Sequence, residues 1–148
     1  MPLHTGFPDD QASPGLLLWR VTNQWQSQIR AALKPLGLTH VQFVLLASLT
    51  YMGGAQDAPV TQRDLAEFAA VDPMMTSQVI RVLAAGGWVE RTDHPTDRRA
   101  KALRVTASGE TLANRAIPIV EACDRAFFAD AGPQFIGGLH ALATRSAR

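Results

Sequence analysis

Cysteine is almost missing from this chain: Cys123 is the only one in 148 residues. A single thiol makes no internal disulfide, so no disulfide scaffold holds the fold. The four histidines, His4, His40, His94 and His140, stand apart. None lies three or four residues from another histidine or from Cys123, so no pair has metal-ligand spacing. No apolar run reaches the ~20 residues that a membrane span needs. The stretch Leu16–Trp19 is far too short, and no basic segment precedes it. No signal peptide or membrane partner is therefore expected, and the chain reads as cytoplasmic. No Ser/His/Asp set, nucleophile elbow, glycine-rich phosphate loop or paired catalytic carboxylates stands out, so neither an enzyme nor a cofactor is expected. Charge is scarce as well, at 18% of residues with a net of +1. That balance excludes a broad cationic coat for nucleic acid.

The charge that is present is placed unevenly. Arg98, Arg99, Lys101 and Arg104 follow one another with only Asp97 before them. The acidic residues Asp9, Asp10, Asp57, Glu110, Glu121, Asp124 and Asp130 lie elsewhere. A local basic stripe on a near-neutral chain suits a small, specific anion contact. Apolar residues make up 47%, enough for one globular domain or two small coupled modules.

Residues 1–14, with three prolines and Gly6, read as a flexible arm. Leu17, Val21, Trp25, Ile29 and Leu33 recur every four residues, predicting a first helix over about 14–34 that Pro35 and Gly37 end. Thr39-His40-Val41-Gln42 is a capping box that opens a second helix. Its apolar face holds Val41, Val44, Leu45, Leu49 and Met52, and Gly53-Gly54 is expected to stop it. A loop through Asp57 and Pro59 leads to a third, short helix capped at Thr61 with Leu65, Ala66 and Ala69 inward. After a tight turn at Ala70–Val71, Asp72 caps a fourth helix with Pro73 at its first position. That helix runs to about Ala85.

The period then changes. Trp88–Arg91 and Ala102–Val105 read as two short strands around a turn-rich tip, Asp93–Asp97. Thr106 opens a long fifth helix to about Ala129, in which Pro118 is expected to kink or interrupt the backbone. Gly132-Pro133 restarts the chain into a sixth helix with Phe135, Ile136, Leu139, Leu142 and Ala143 on one side.

Two short helices joined by a tight turn and followed by a hairpin make a winged helix-turn-helix, with the second helix of the pair in the DNA major groove. The fold class is thus mainly α with a small β-hairpin wing. Thr76, Val79, Ile80 and Leu83 share the inward face of the fourth helix; Met74, Ser77, Gln78 and Arg81 share the outward face. Ser77 and Gln78 can hydrogen-bond base edges or phosphates, and Arg81 can reach a phosphate or a guanine. Free N–H groups at the start of this helix would favour a phosphate, although Asp72 repels it. Arg98 and Arg99 follow the hairpin tip, where an arginine can enter a minor groove. Asp97 can pair with Arg91 or Arg99 and stiffen the hairpin.

The wing residues Val89-Glu90-Arg91, Asp97-Arg98-Arg99-Ala100 and Leu103-Arg104-Val105-Thr106, ending in Gly109, resemble those of the MarR (multiple antibiotic resistance regulator) family. Helix order and spacing extend the resemblance from about Leu16 to the C-terminus. It implies a winged helix-turn-helix flanked by dimerisation helices: an arm at 1–14, an N-terminal dimerisation helix at 15–38, the DNA-binding module at 39–106 and C-terminal dimerisation helices at 107–148. It further implies a homodimer on double-stranded DNA with a palindromic operator, acting as a transcriptional regulator, of which repression is the usual mode. Carried onto this sequence, Pro73, Met74, Met75, Ser77, Gln78 and Arg81 correspond to recognition-helix contacts. Arg99 corresponds to the minor-groove residue, Arg98 to a phosphate contact, and Arg91 and Asp97 to wing support. Relatives often carry Ser or Thr where Met75 stands and an arginine near Gln78.

The resemblance also implies release by a small aromatic or phenolic effector, whose pocket would draw on Trp19, Trp25, His40, Phe43 and Tyr51. Two alternatives are a winged-helix interaction module that never touches DNA and a regulator that senses oxidants through Cys123. Arg99 discriminates the first. The second is disfavoured because Cys123 lies on the fifth helix, at a position that suits a small packed side chain.

Overall fold

The computed structural model describes residues 2–56 and 58–146; Met1, Asp57 of the predicted loop and the last two residues lie outside the described residues. Six α-helices and the two hairpin strands follow the predicted order, and an additional strand stands between the second and third helices: α1 (Pro14–Leu33), α2 (His40–Ala55), β1 (Val60–Thr61), α3 (Gln62–Ala69), α4 (Pro73–Ala85), β2 (Val89–Asp93), β3 (Lys101–Val105), α5 (Ala107–Phe127) and α6 (Gln134–Ser146). The N-terminal arm is not featureless. Asp10–Ala12 form a 3-10 turn, and the Asp10 carboxylate binds Arg20 of α1 at 2.9 Å.

Capping chemistry sets most boundaries. The Thr39 hydroxyl accepts the Gln42 N–H and the Gln42 amide oxygen accepts the Thr39 N–H, completing the capping box. Thr61 and Thr106 cap α3 and α5 in the same way. One expected stop and one expected interruption are absent. α2 continues through Gly53 and Gly54 to Ala55, because neither glycine takes the left-handed conformation that ends a helix. α5 continues past Pro118 as one element. Pro118 is exposed, so water can serve the carbonyl one turn earlier that loses its N–H partner.

The core lies where α1, α2, α4 and α5 meet the sheet. Ile29, Leu33, Leu45, Leu46, Leu49, Leu65, Ile80 and Leu83 are fully buried. Each such side chain contributes roughly 1.5–3 kcal/mol of transfer free energy. α1 is fixed to α5 by the Trp25 indole N–H, which donates to the Asp124 carboxylate at 2.7 Å. Phe135 of α6 is stacked on Phe128 with centroids 5.3 Å apart. The α6 residues Ile136 and Leu139 remain exposed, as do Leu17, Leu18 and Trp19 of α1.

The sheet corrects the expected two-stranded hairpin to three antiparallel strands in the order β1-β3-β2. Val60 and Thr61 pair with Leu103 and Ala102, and Arg91 lies opposite Leu103 on the other side of β3. β1 thereby joins the middle of β3 to the start of α3.

Candidate nucleic-acid interface

The helix pair is built around one tight turn. Ala70 takes the left-handed conformation (φ 53°) and its N–H closes α3 on the Ala66 and Glu67 carbonyls. Asp72 then starts α4, its Oδ2 accepting the Met74 and Met75 N–H groups at 3.0 Å. Those two amides are therefore occupied, which corrects the expectation of free N–H groups for a phosphate. Thr76, Val79, Ile80 and Leu83 are buried as expected, and the Thr76 hydroxyl satisfies itself on the Asp72 carbonyl at 2.9 Å. This face fixes α4 on the core. The opposite face carries exposed Met74, Gln78 and Arg81, with Pro73 and Met75 exposed beside them and Ser77 half-buried.

The wing is also organised by its own residues. The His94 Nδ1 accepts the Thr96 and Asp97 N–H groups at 3.2 and 3.1 Å, which closes the tip. Asp97 does not pair with either guanidinium; its Oδ1 accepts the Arg99 backbone N–H at 3.0 Å. The ion pair of the wing joins Lys101 to Asp93 instead, and Lys101 holds the Asp93 carboxyl below its ordinary range. Arg98 and Arg99 are exposed at the tip. Arg91 turns inward along its strand, half-buried, and its Nε donates to the Gln62 side-chain oxygen at 3.0 Å.

Between the start of α3, the start of α4 and the wing lies a groove of about 540 Å3. Gln62, Arg63, Pro73, Arg91, Arg99 and Lys101 line it, together with Glu67 as its one acidic residue. The first residue of the recognition helix, Pro73, and the wing thus border one concave surface with an excess of positive charge, while Ser77, Gln78 and Arg81 lie on α4 outside it. Gln62 is the residue that sequence reasoning missed. Its position at the start of α3 was legible, but its partner stands 29 positions away.

Of the five predicted effector-pocket residues, the structure brings two together. Trp25 and His40 meet edge to face at 5.0 Å beside a cavity of about 460 Å3. Gln26, Arg30 and Val44 line that cavity too, and Ala69 and Val71 bring the α3–α4 turn to it. Phe43 is a core residue. Trp19 is exposed, and Tyr51 is exposed on α2, stacked on Phe68 of α3. Partial burial holds the His40 imidazole below its ordinary pKa, opposed by Asp124 and reinforced by Arg30. Burial first, and then the Asp124 carboxylate, push the Cys123 thiol up. That is the opposite of the lowered pKa that activates a redox cysteine.

A buried-faced helix beside a basic hairpin, both bordering one cationic groove, defines a winged helix-turn-helix regulator that binds DNA. The MarR family model matches residues 38–101, which span α2 to the start of β3. The chain is 44% identical over 144 residues to the uncharacterized HTH-type transcriptional regulator YdcH of Bacillus subtilis, covering 96% of this chain and 97% of that one. It is 37% identical over 115 residues to the HTH-type transcriptional repressor Rv2887 of Mycobacterium tuberculosis, covering 78% and 79%. Among solved structures it resembles CouR of Rhodococcus jostii bound to p-coumaroyl-CoA, at 26% identity, 95% coverage of each chain and a TM-score of 0.77. The chain belongs to the MarR family of transcriptional regulators.

Proposed function

We propose that this protein is a cytoplasmic homodimeric repressor that binds a palindromic duplex and releases it when a small aromatic ligand binds. The observation that carries the DNA reading is the cationic groove between the wing and the starts of α3 and α4, with the exposed face of α4 beyond it. The outward face of α4, through Gln78 and Arg81, reads the major groove. Arg99 enters the adjacent minor groove, where the negative potential is deepest, and Arg98 takes a phosphate.

The homodimer reading rests on surface. The chain exposes 10474 Å2. A compact monomer of this mass exposes about 7,400 Å2 by the usual area-to-mass scaling. Part of the exposed apolar surface is on α1 and α6, where Leu17, Leu18, Trp19, Ile136 and Leu139 lack cover. A second copy would cover them.

The ligand reading rests on the cavity beside Trp25 and His40. Its size falls in the range of small-molecule sites. Arg30 supplies a cation for an acidic ligand, and Val71 carries the cavity wall to the residue just before Asp72. A ligand there pushes on the turn that orients α4. The name of Rv2887 supports repression, and the CouR complex supports an aromatic ligand.

Duplex binding by wild type, Arg81→Ala and Arg99→Ala tests the reading. Each variant is expected to bind less tightly, and Arg99→Ala to lower the salt slope of the affinity by about one. Unchanged binding in both variants refutes it. In the same assay, p-coumaroyl-CoA should quench Trp25 and release the duplex; no effect of phenolic acids or their thioesters refutes the ligand part.

A further inference from the structure

We propose that Gln62 is a positioning residue that sets how strictly the wing reads the DNA beside each half-site, through its hydrogen bond to Arg91. The inference rests on the DNA-binding reading above and names a device within that same surface.

Arg91 stands at the same register level as Leu103 of β3 and Val60 of β1, both buried. Its stem therefore leaves β2 on the core-facing side of the sheet, and its guanidinium ends in the groove between wing and α3. There the Nε donates to the Gln62 oxygen at 3.0 Å. Among the described residues this is the only side-chain hydrogen bond that joins the hairpin to the helix pair. The wing is anchored twice more, at mid-strand by the two-residue ladder of β1 on β3 and at its base by Thr106 and Ser108 on the Gly87 carbonyl. β2 itself is fixed at its start, where the Trp88 N–H donates to the Leu83 carbonyl of α4 at 3.0 Å and Val89 is buried in the core; beyond Val89 its backbone pairs with β3 alone. The Gln62–Arg91 bond ties β2 itself to α3.

The consequence follows from leverage. Arg99 sits beyond the far end of the hairpin, so a small change of wing angle moves it far. With β2 tied to α3, Arg99 meets the minor groove at one fixed distance from α4. A narrow groove then binds it well and a wide groove binds it poorly, which makes the flanking sequence count. Without the tie, the hairpin adjusts to either groove and the flanks count less. Readout by α4 is unaffected, because its inward face is locked in the core through Thr76, Val79, Ile80 and Leu83.

The test uses the full-length protein and a duplex recovered by it from a random pool. A second duplex keeps the half-sites and replaces A·T steps under the wing by G·C steps; a third alters one half-site base. The Gln62→Ala variant is expected to lose about fivefold of its discrimination between the first two duplexes. Its discrimination against the third duplex, its salt slope and its unfolding midpoint should match wild type. Gln62→Glu keeps an acceptor oxygen at that place and should restore flank discrimination. Gln62→Ala combined with Arg91→Ala should be no worse than either alone. Full flank discrimination in Gln62→Ala overturns the proposal, as do failure of Gln62→Glu to rescue, additive single and double variants, or parallel loss on the third duplex. If wild type itself recovers no duplex, the DNA-binding reading fails and takes this proposal with it.

Discussion

A methyl group on Gly109 would lie 2.0 Å from the Trp88 carbonyl oxygen and 2.9 Å from a Val105 methyl. This explains why a glycine follows the wing. The first turn of α5 packs directly on the strand entry, and Thr106 works on both sides of the contact. Its N–H donates to the Trp88 carbonyl at 3.1 Å, its hydroxyl donates to the Gly87 carbonyl at 2.7 Å, and the same oxygen accepts the Gly109 N–H. Backbone cannot retreat as a flexible side chain can, so Gly109→Ala is expected to cost on the order of 2–3 kcal/mol. A urea titration checks this; a midpoint equal to wild type refutes it. The glycine itself was legible in the sequence as part of a motif. Its reason was not, because the atom it avoids belongs to a residue 21 positions earlier.

At the scale of elements, the junction of α1, α2 and α5 is a test of electrostatics in a half-buried site. His40 lies against Trp25, with Asp124 and Arg30 the charged groups that act on it. Its pKa is lowered in the fold, first by burial, from the ordinary value of 6.5. Below that value the unfolded chain binds more protons here than the folded one, so stability falls as pH falls through the folded pKa. His40→Asn is expected to flatten the loss of stability on acidification from pH ~6.5 relative to wild type. Denaturant midpoints measured across that window check it, and parallel curves for the two proteins refute it.

The same scale shows what local sequence can and cannot specify. The spacing of Thr76, Val79, Ile80 and Leu83 identified the buried face of α4, and hence the exposed one, because both follow from helical periodicity. Thr39, Thr61, Asp72 and Thr106 marked helix starts because capping is local. The glycine pair in α2 misled, since a glycine inside a helix costs only about 1 kcal/mol relative to alanine and packing outweighs it. β1 was invisible because two residues carry no period; its ladder to Leu103 and Ala102 is a tertiary fact. The groove was half legible. Arg98 and Arg99 stood out by charge, whereas the Gln62–Arg91 bond needed the fold.

At the scale of the whole molecule, a monomer leaves too much undone. Among the described residues α6 contributes none to the buried core, and its exposed Ile136 and Leu139 join Leu17, Leu18 and Trp19 in lacking cover. The proposed two-fold dimer would cover these faces and repeat the α4–wing surface with inverted polarity. Two such surfaces on one duplex require a palindrome, with half-sites set by the rigid span between the two recognition helices. Selecting bound DNA from a random duplex pool therefore tests symmetry, groove assignment and function at once. The expected product is a palindrome with half-sites about one helical turn apart, depleted by Arg81→Ala. Recovery of no duplex above background, or of a single asymmetric site, would contradict the account.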